Sequence, residues 1–258
     1  MRTRHFGHTD AGRKRKRNED AWLADDRLGL FVVCDGVGGR ARGDLASEET
    51  VELIWDWVKG QHAVVQAAAG APTQRTADTV ARLGALVRSA VQNACYMVHG
   101  MGQVDPEHRG MSTTASVVLV AGDLVVVGQV GDSRVYLVRE GAVSQLTEDH
   151  TWHNLQIQQG LITAEEARKK GNTGKHLITR AVGLREFVDV DILAVPVTVG
   201  DRLLLCSDGL HGYLDDADSR TTDLFSGHLH DAAPAAIRHA NACGGEDNIT
   251  ALFVEFLP

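Results

Sequence analysis

The stretch Leu30-Phe-Val-Val-Cys-Asp-Gly-Val-Gly-Gly39 constrains this chain more than any other. Four apolar residues in a row, Leu30 to Val33, suit a strand buried on both faces, although periodicity alone equally allows a short buried helix. Asp35 then reverses the polarity, and Gly36, Gly38 and Gly39 follow it. Glycines at such a point let the backbone turn sharply and bring its carbonyls close to something small. A carboxylate carried on a stiff strand, with backbone carbonyls beside it, is one way an oxygen-seeking cation is held. A lone Asp-Gly is equally the mark of an ordinary turn.

Recurrence shifts the balance. Leu203-Leu-Leu-Cys-Ser-Asp-Gly209 is a second apolar run ending in an acid, and Val125 to Asp132 is a third. Asp247-Asn248 immediately precedes the apolar stretch Ile249 to Phe256, and Glu19-Asp20 precede Ala21-Trp22-Leu23. Carboxylates at five strand ends far apart in sequence make sense if a sheet brings those ends together. Left unpaired, such a cluster repels itself and its pKa values rise. A pair of Mg²⁺ or Mn²⁺ ions removes that penalty.

The remaining elements read as follows. Ala46, Leu53, Ile54, Trp57 and Val58 recur at helical spacing between Gly43 and Lys59, with acids mostly opposite, which predicts an amphipathic helix. A loop is expected from Gly60 to Arg75. A second helix, from about Thr76 to Met101, carries one apolar stripe from Val80 through Val87 and Met97 to Met101. Ala115 to Val120, Leu124 to Val130 and Arg134 to Arg139 are strands separated by turn sequences. That is an antiparallel meander, which argues against a doubly wound parallel sheet. Residues 147 to 183 read as short polar helices, Thr163 and Glu166 forming a capping box, and suit either a flap over a site or a plain surface excursion. Sheet character resumes from Val188 to Val199. A helix is expected from about Asp231 to Ala242, with Pro234 in its first turn, before the last strand.

Bulk properties narrow the functional classes. A chain of 258 residues supports one sizeable core, and a single domain over 1–258 is expected. No apolar run is long enough to span a bilayer, and the first residues lack the apolar stretch of a signal peptide. Four scattered Cys read as reduced, mostly buried thiols, so a cytoplasmic protein is expected. The scattered His exclude an obvious zinc site. A formal net charge of −8 argues against nucleic acid as the main ligand. The basic run Arg13-Lys-Arg-Lys-Arg17 reads as a solvated turn, as a nucleic-acid arm, or as cations placed to hold a substrate phosphate beside the acids.

The set Arg15-x-x-Asn18-Glu19-Asp20, Asp35-Gly-Val-Gly-Gly39, Gly110-Met-Ser-Thr-Thr114, Gly131-Asp-Ser-Arg134, Leu146-Thr-Glu-Asp-His150, Ser207-Asp-Gly209 and Gly245-Glu-Asp-Asn248 resembles the metal-dependent protein serine/threonine phosphatases of the protein phosphatase 2C family, bacterial type. The motifs occur in family order from about residue 8 to 256, and Leu161 to Ala167 resembles the flap of bacterial members. The resemblance implies an α+β fold, a four-layer α-β-β-α sandwich of two antiparallel sheets flanked by helices, with a small flap subdomain. It implies that Asp35 bridges two Mn²⁺ or Mg²⁺ ions, that Gly36 offers its carbonyl to one, and that Asp208 and Asp247 complete the other. Glu19 and Asp20 would orient metal-bound water, Asp132 with Asp208 would hold a third ion, and Arg15 would grip the substrate phosphate, with Arg13 and Arg17 as neighbours. The implied partners are phosphorylated proteins and a cognate serine/threonine kinase, and a monomer is expected.

Animal members carry a histidine after Asp-Gly that is proposed to protonate the leaving oxygen. Here that position is Val37, as bacterial relatives also lack it, so His62, His150 and His153 become candidate donors. A phosphoprotein-binding pseudophosphatase of the same fold is the alternative; the intact Asp35, Asp208 and Asp247 count against it.

Overall fold

The computed structural model describes residues 1–37, 42–70, 77–169, 177–214 and 227–258. Gly38 and Gly39, Pro72 and the Lys170–Lys175 stretch therefore lie outside the described residues. The strands are β1 (Arg2–Asp10), β2 (Asp20–Asp25), β3 (Leu30–Val37), β4 (Ser112–Thr113), β5 (Ala115–Ala121), β6 (Leu124–Val130), β7 (Arg134–Arg139), β8 (Ala142–Gln145), β9 (Asp191–Pro196), β10 (Arg202–Cys206) and β11 (Ile249–Leu257). The helices are α1 (Gly43–Gly60), α2 (His62–Ala69), α3 (Ala77–Val104), α4 (Trp152–Gln158), α5 (Ala164–Lys169), α6 (Asp208–His211) and α7 (Leu229–Cys243).

Two antiparallel sheets form, one in the order β1-β11-β10-β7-β8 and the other β2-β3-β5-β6-β9, with β4 paired to β3. The four layers follow from how the apolar runs alternate. On β3, Leu30, Val32 and Cys34 pack with Ile54, Val58, Leu83 and Val87 of the helices α1 and α3. Phe31 and Val33 point the other way, against Leu203, Leu205, Leu252 and Phe256 of the opposite sheet. β10 and β11 repeat this, with Leu204, Cys206 and Phe253 packing on Ala233, Ala236 and Ile237 of α7. A strand covered on both sides must be apolar at every position, which is why Leu30 to Val33 shows no alternation. Each such side chain withdrawn from water contributes about 1.5–3 kcal/mol.

Several boundaries and faces differ from expectation. Part of the expected Gly60–Arg75 loop is the helix α2; alanine favours helix strongly, and the flanking Gly60 and Gly70 obscure that local preference. On α1, Trp57 faces solvent while Val51 and Trp55 pack inward, Trp55 donating from its indole to Asp25 Oδ2 at 3.0 Å. Met97 is exposed on α3. Helix α7 begins at Leu229, so Pro234 stands beyond the first turn. The capping box is present as read: Thr163 N–H donates to Glu166 Oε2 at 2.7 Å, and Glu166 N–H to Thr163 Oγ1 at 3.2 Å.

Candidate active site

One end of the two sheets gathers the acids that sequence placed at strand ends. Asp35 lies near the end of β3, opposite Asp20 at the start of β2. Asp132 occupies the turn after β6, Asp208 opens α6 directly after β10, and Asp247 stands just before β11. Asp35, Asp132, Asp208 and Asp247, with Arg15, Glu19, Gly36, Val37, Thr114, Ile178 and Asn248, line a pocket of about 200 Å³. Asp20 is buried behind this lining, its Oδ2 accepting from Ser207 Oγ at 2.8 Å and Thr250 Oγ1 at 2.6 Å. Arg13 and Arg17 do not line the pocket; Arg13 instead donates its backbone N–H to Gly245 O at 2.7 Å.

Neutral residues hold the acids in place. Asp35 N–H donates to Thr114 Oγ1 at 2.9 Å, Thr114 N–H returns a bond to Asp35 O at 2.9 Å, and Thr113 Oγ1 donates to the same carbonyl at 2.8 Å. Asn248 is the organiser of the N-terminal side. Its Oδ1 accepts from Glu19 N–H at 2.9 Å, and its Nδ2 donates to Ala11 O at 3.1 Å and Arg17 O at 2.8 Å. The basic run is thus tied down through its backbone, and Arg15 lines the pocket with its guanidinium on Asp247. Gly36 donates to Glu19 O at 3.0 Å, and a Cβ there would collide with the carbonyls of Gly43 and Glu19.

Burial and mutual repulsion dominate the electrostatics of the acid cluster. Burial, reinforced by Asp20, Asp208, Asp132 and Asp247, pushes the Asp35 carboxyl well above its ordinary range. Burial likewise raises Asp20 to about 7, against its bonds from Thr250 and Ser207. Glu19 is raised by burial and by Asp44. Arg15 Nη2 bonds Asp247 Oδ2 at 2.6 Å and supplies the nearest positive charge. Among the described residues no three His, Cys, Asp or Glu side chains already stand as a finished ligand set, and Asp247 is engaged by Arg15. The donor chemistry nevertheless fits a hard divalent cation: every side-chain donor of the pocket's acids is oxygen, the carboxylates repel one another, and the buried Asp20 Oδ1 has no hydrogen-bond partner.

Among the described residues no histidine lines the pocket. His62 faces a different cavity, beside Arg2, Leu28 and Val120. His150 is buried with its Nδ1 accepting from Gly131 N–H at 3.1 Å. His211, which sequence reasoning did not single out, donates from Nε2 to Asp132 O at 2.9 Å. Burial, with Arg134 nearby, lowers His211 to about 4. A histidine whose folded pKa lies below its unfolded value contributes stability that is complete above about 6.5 and disappears as pH falls toward 4. The stability difference between the wild type and His211→Asn is therefore expected to narrow by about 3 kcal/mol between pH 7 and pH 4. Denaturant midpoints across that range check this, and a constant difference would contradict it.

The comparisons with known proteins agree with this geometry. Residues 9–243 match the family model described as protein phosphatase 2C. The chain is 34% identical over 250 residues to the serine/threonine phosphatase stp of Listeria innocua, covering 96% of this chain and 93% of that protein. The crystal structure of the Mycobacterium tuberculosis serine/threonine phosphatase PstP/Ppp superposes with a TM-score of 0.83 at 28% identity, covering all of both chains. The catalytic domain of the phosphatase PstP, solved in complex with 2 manganese ions, gives a TM-score of 0.78 at 29% identity over 100% of this chain and 99% of that one. Matched along nearly its whole length in sequence and in fold, this chain belongs to the protein phosphatase 2C family.

Proposed function

We propose that this phosphatase removes phosphate from phosphoserine and phosphothreonine in other proteins by attack of an activated water, opposing a bacterial serine/threonine kinase. The observation that carries the reading is the pocket itself, in which acids from separate strand ends face one arginine. Asp35, the Gly36 carbonyl, Asp208 and Asp247 are the groups that would hold two Mn²⁺ or Mg²⁺ ions, and Asp132 with Asp208 a third. When bound, such ions acidify a water and neutralise phosphoryl oxygens for in-line displacement. Glu19, at the pocket wall, accepts a hydrogen bond from the attacking water and orients it, while Asp20 fixes the Ser207 and Thr250 hydroxyls behind it. Arg15 exchanges its bond to Asp247 for the substrate phosphate, a bidentate match for the guanidinium. With no histidine among the described residues of the pocket wall, the leaving oxygen takes its proton from water. Among the described residues no helix is long and apolar enough to cross a membrane.

Because the acids line the pocket intact, a binding-only regulator of this fold is disfavoured. The test is turnover of p-nitrophenyl phosphate and phosphothreonine peptides with added Mn²⁺. EDTA should abolish both activities and Mn²⁺ should restore them. Undiminished turnover in chelator would overturn the metal-dependent reading.

A further inference from the structure

Asp132 lies in the tight turn between β6 and β7, and one histidine grips the residue before it from both sides. Gly131 N–H donates to His150 Nδ1 at 3.1 Å, and His150 N–H donates to Gly131 O at 2.9 Å. Since Nδ1 accepts, the ring proton sits on Nε2, which faces Asp191 Oδ2 at 3.1 Å. Asp191, on β9, is held in turn by Arg180 Nη1 at 2.6 Å. Protonating Nδ1 would set two donors against each other at Gly131, and burial, the larger influence, together with Arg180 holds the ring below the ordinary histidine range.

The other side of His150 faces the 177–180 segment. Its carbonyl accepts from Thr179 N–H at 2.7 Å and from Thr179 Oγ1 at 3.1 Å. Ile178, the preceding residue, bridges to Thr151 and lines the acid pocket. His150 therefore joins the turn that carries Asp132, through its ring and its backbone N–H, to the segment that walls the pocket, through its carbonyl and through Arg180 Nη1, 3.2 Å from its Nε2.

We propose that His150 is a positioning residue that locks the Asp132 turn to the 177–180 segment, so that cation affinity at Asp132 and the seating of the pocket wall depend on one another. The inference rests on the proposed role of Asp132. Coupling of this kind is reciprocal: whatever seats the wall strengthens the acid site, and an ion at the acid site seats the wall.

The experiment is a Mn²⁺ titration of the full chain, read from the spin-resonance signal of free Mn²⁺. The wild type should show two tight ions and one weak one. His150→Phe keeps the ring volume and loses the acceptor, and should weaken the third ion about 10–100-fold while leaving the tight pair nearly unchanged. His150→Asn can place Oδ1 where Nδ1 stood and should recover most of that loss. Equal losses in the two variants, or no loss in His150→Phe, would overturn the proposal. If His150→Phe does not fold, Asp191→Ala decides. Its half-exposed carboxylate orients the ring, so a several-fold loss at the weak site supports the proposal and no change overturns it. A wild type that binds only two ions would refute the three-ion reading and leave His150 to be judged by amide exchange at Gly131. Faster exchange in His150→Phe than in His150→Asn would then support the lock, and equal rates would overturn it.

Discussion

Asp35→Asn should lower kcat/KM by at least on the order of a thousandfold, about 4 kcal/mol of transition-state stabilisation, while making the metal-free protein more stable. Both effects come from one carboxylate. Asp35 is partly buried at the pocket wall among Asp20, Asp208, Asp132 and Asp247, so its charge is costly whenever no cation offsets it. Asn keeps the shape and loses the charge, with an expected gain of about 1–2 kcal/mol in chelator at neutral pH. An acid whose folded pKa is raised costs stability only above its unfolded pKa, so the gain should grow from near zero below about pH 4 toward neutrality. Thermal unfolding in EDTA at pH 4 and pH 7, with turnover in Mn²⁺, tests the pair. A variant that retains turnover, or that is less stable in chelator, would show that Asp35 is a structural carboxylate and not a ligand held in tension.

Gly209→Ala is the second large effect, and it acts through the backbone. A Cβ at Gly209 would overlap the carbonyl of Asn248, which cannot rotate aside because Asn248 is fixed by its bonds to Glu19, Ala11 and Arg17. The corner between β10 and α6 must then move away from the start of β11. Asp208 and Asp247 flank that contact on either side, so the displacement separates two acids of the pocket. The expected cost is about 1–3 kcal/mol in stability, with Mn²⁺ affinity reduced about 10–100-fold. Gly60→Ala, where an added carbon meets nothing within 4 Å, serves as the control and should change neither. Unaltered Mn²⁺ binding in Gly209→Ala would mean that the spacing of Asp208 and Asp247 is not set by this contact.

Sequence alone determined the elements whose burial pattern is local. Leu30 to Val33 and Leu203 to Leu205 are apolar at every position because helices cover one face and the second sheet the other, and this is written into adjacent residues. The acids Asp35, Asp132, Asp208 and Asp247 were legible for the same reason, since each interrupts or borders such a run. Arg15 was legible only through the order of motifs, because a basic run by itself is equally a wet turn. The helix α2 and the solvent-facing Trp57 and Met97 were misjudged, as composition does not say which side of a helix finds a neighbour.

The supporting residues were decided by tertiary structure. Asn248 receives Glu19 across 229 positions, and His211 reaches the Asp132 carbonyl across 79. His150 reaches Gly131, the neighbour of Asp132, across 19 positions, and the residues that orient the ring come from β9 and the 177–180 segment. An amide or imidazole becomes an organiser only when folding buries it against a backbone group that lacks another partner, since a buried polar group left unpaired costs about 1–3 kcal/mol. A chain can announce a carboxylate by placing it at the end of an apolar strand. Which neutral side chain will hold that carboxylate still depends on strand order and register, and those are fixed by the packing of the two sheets as a whole.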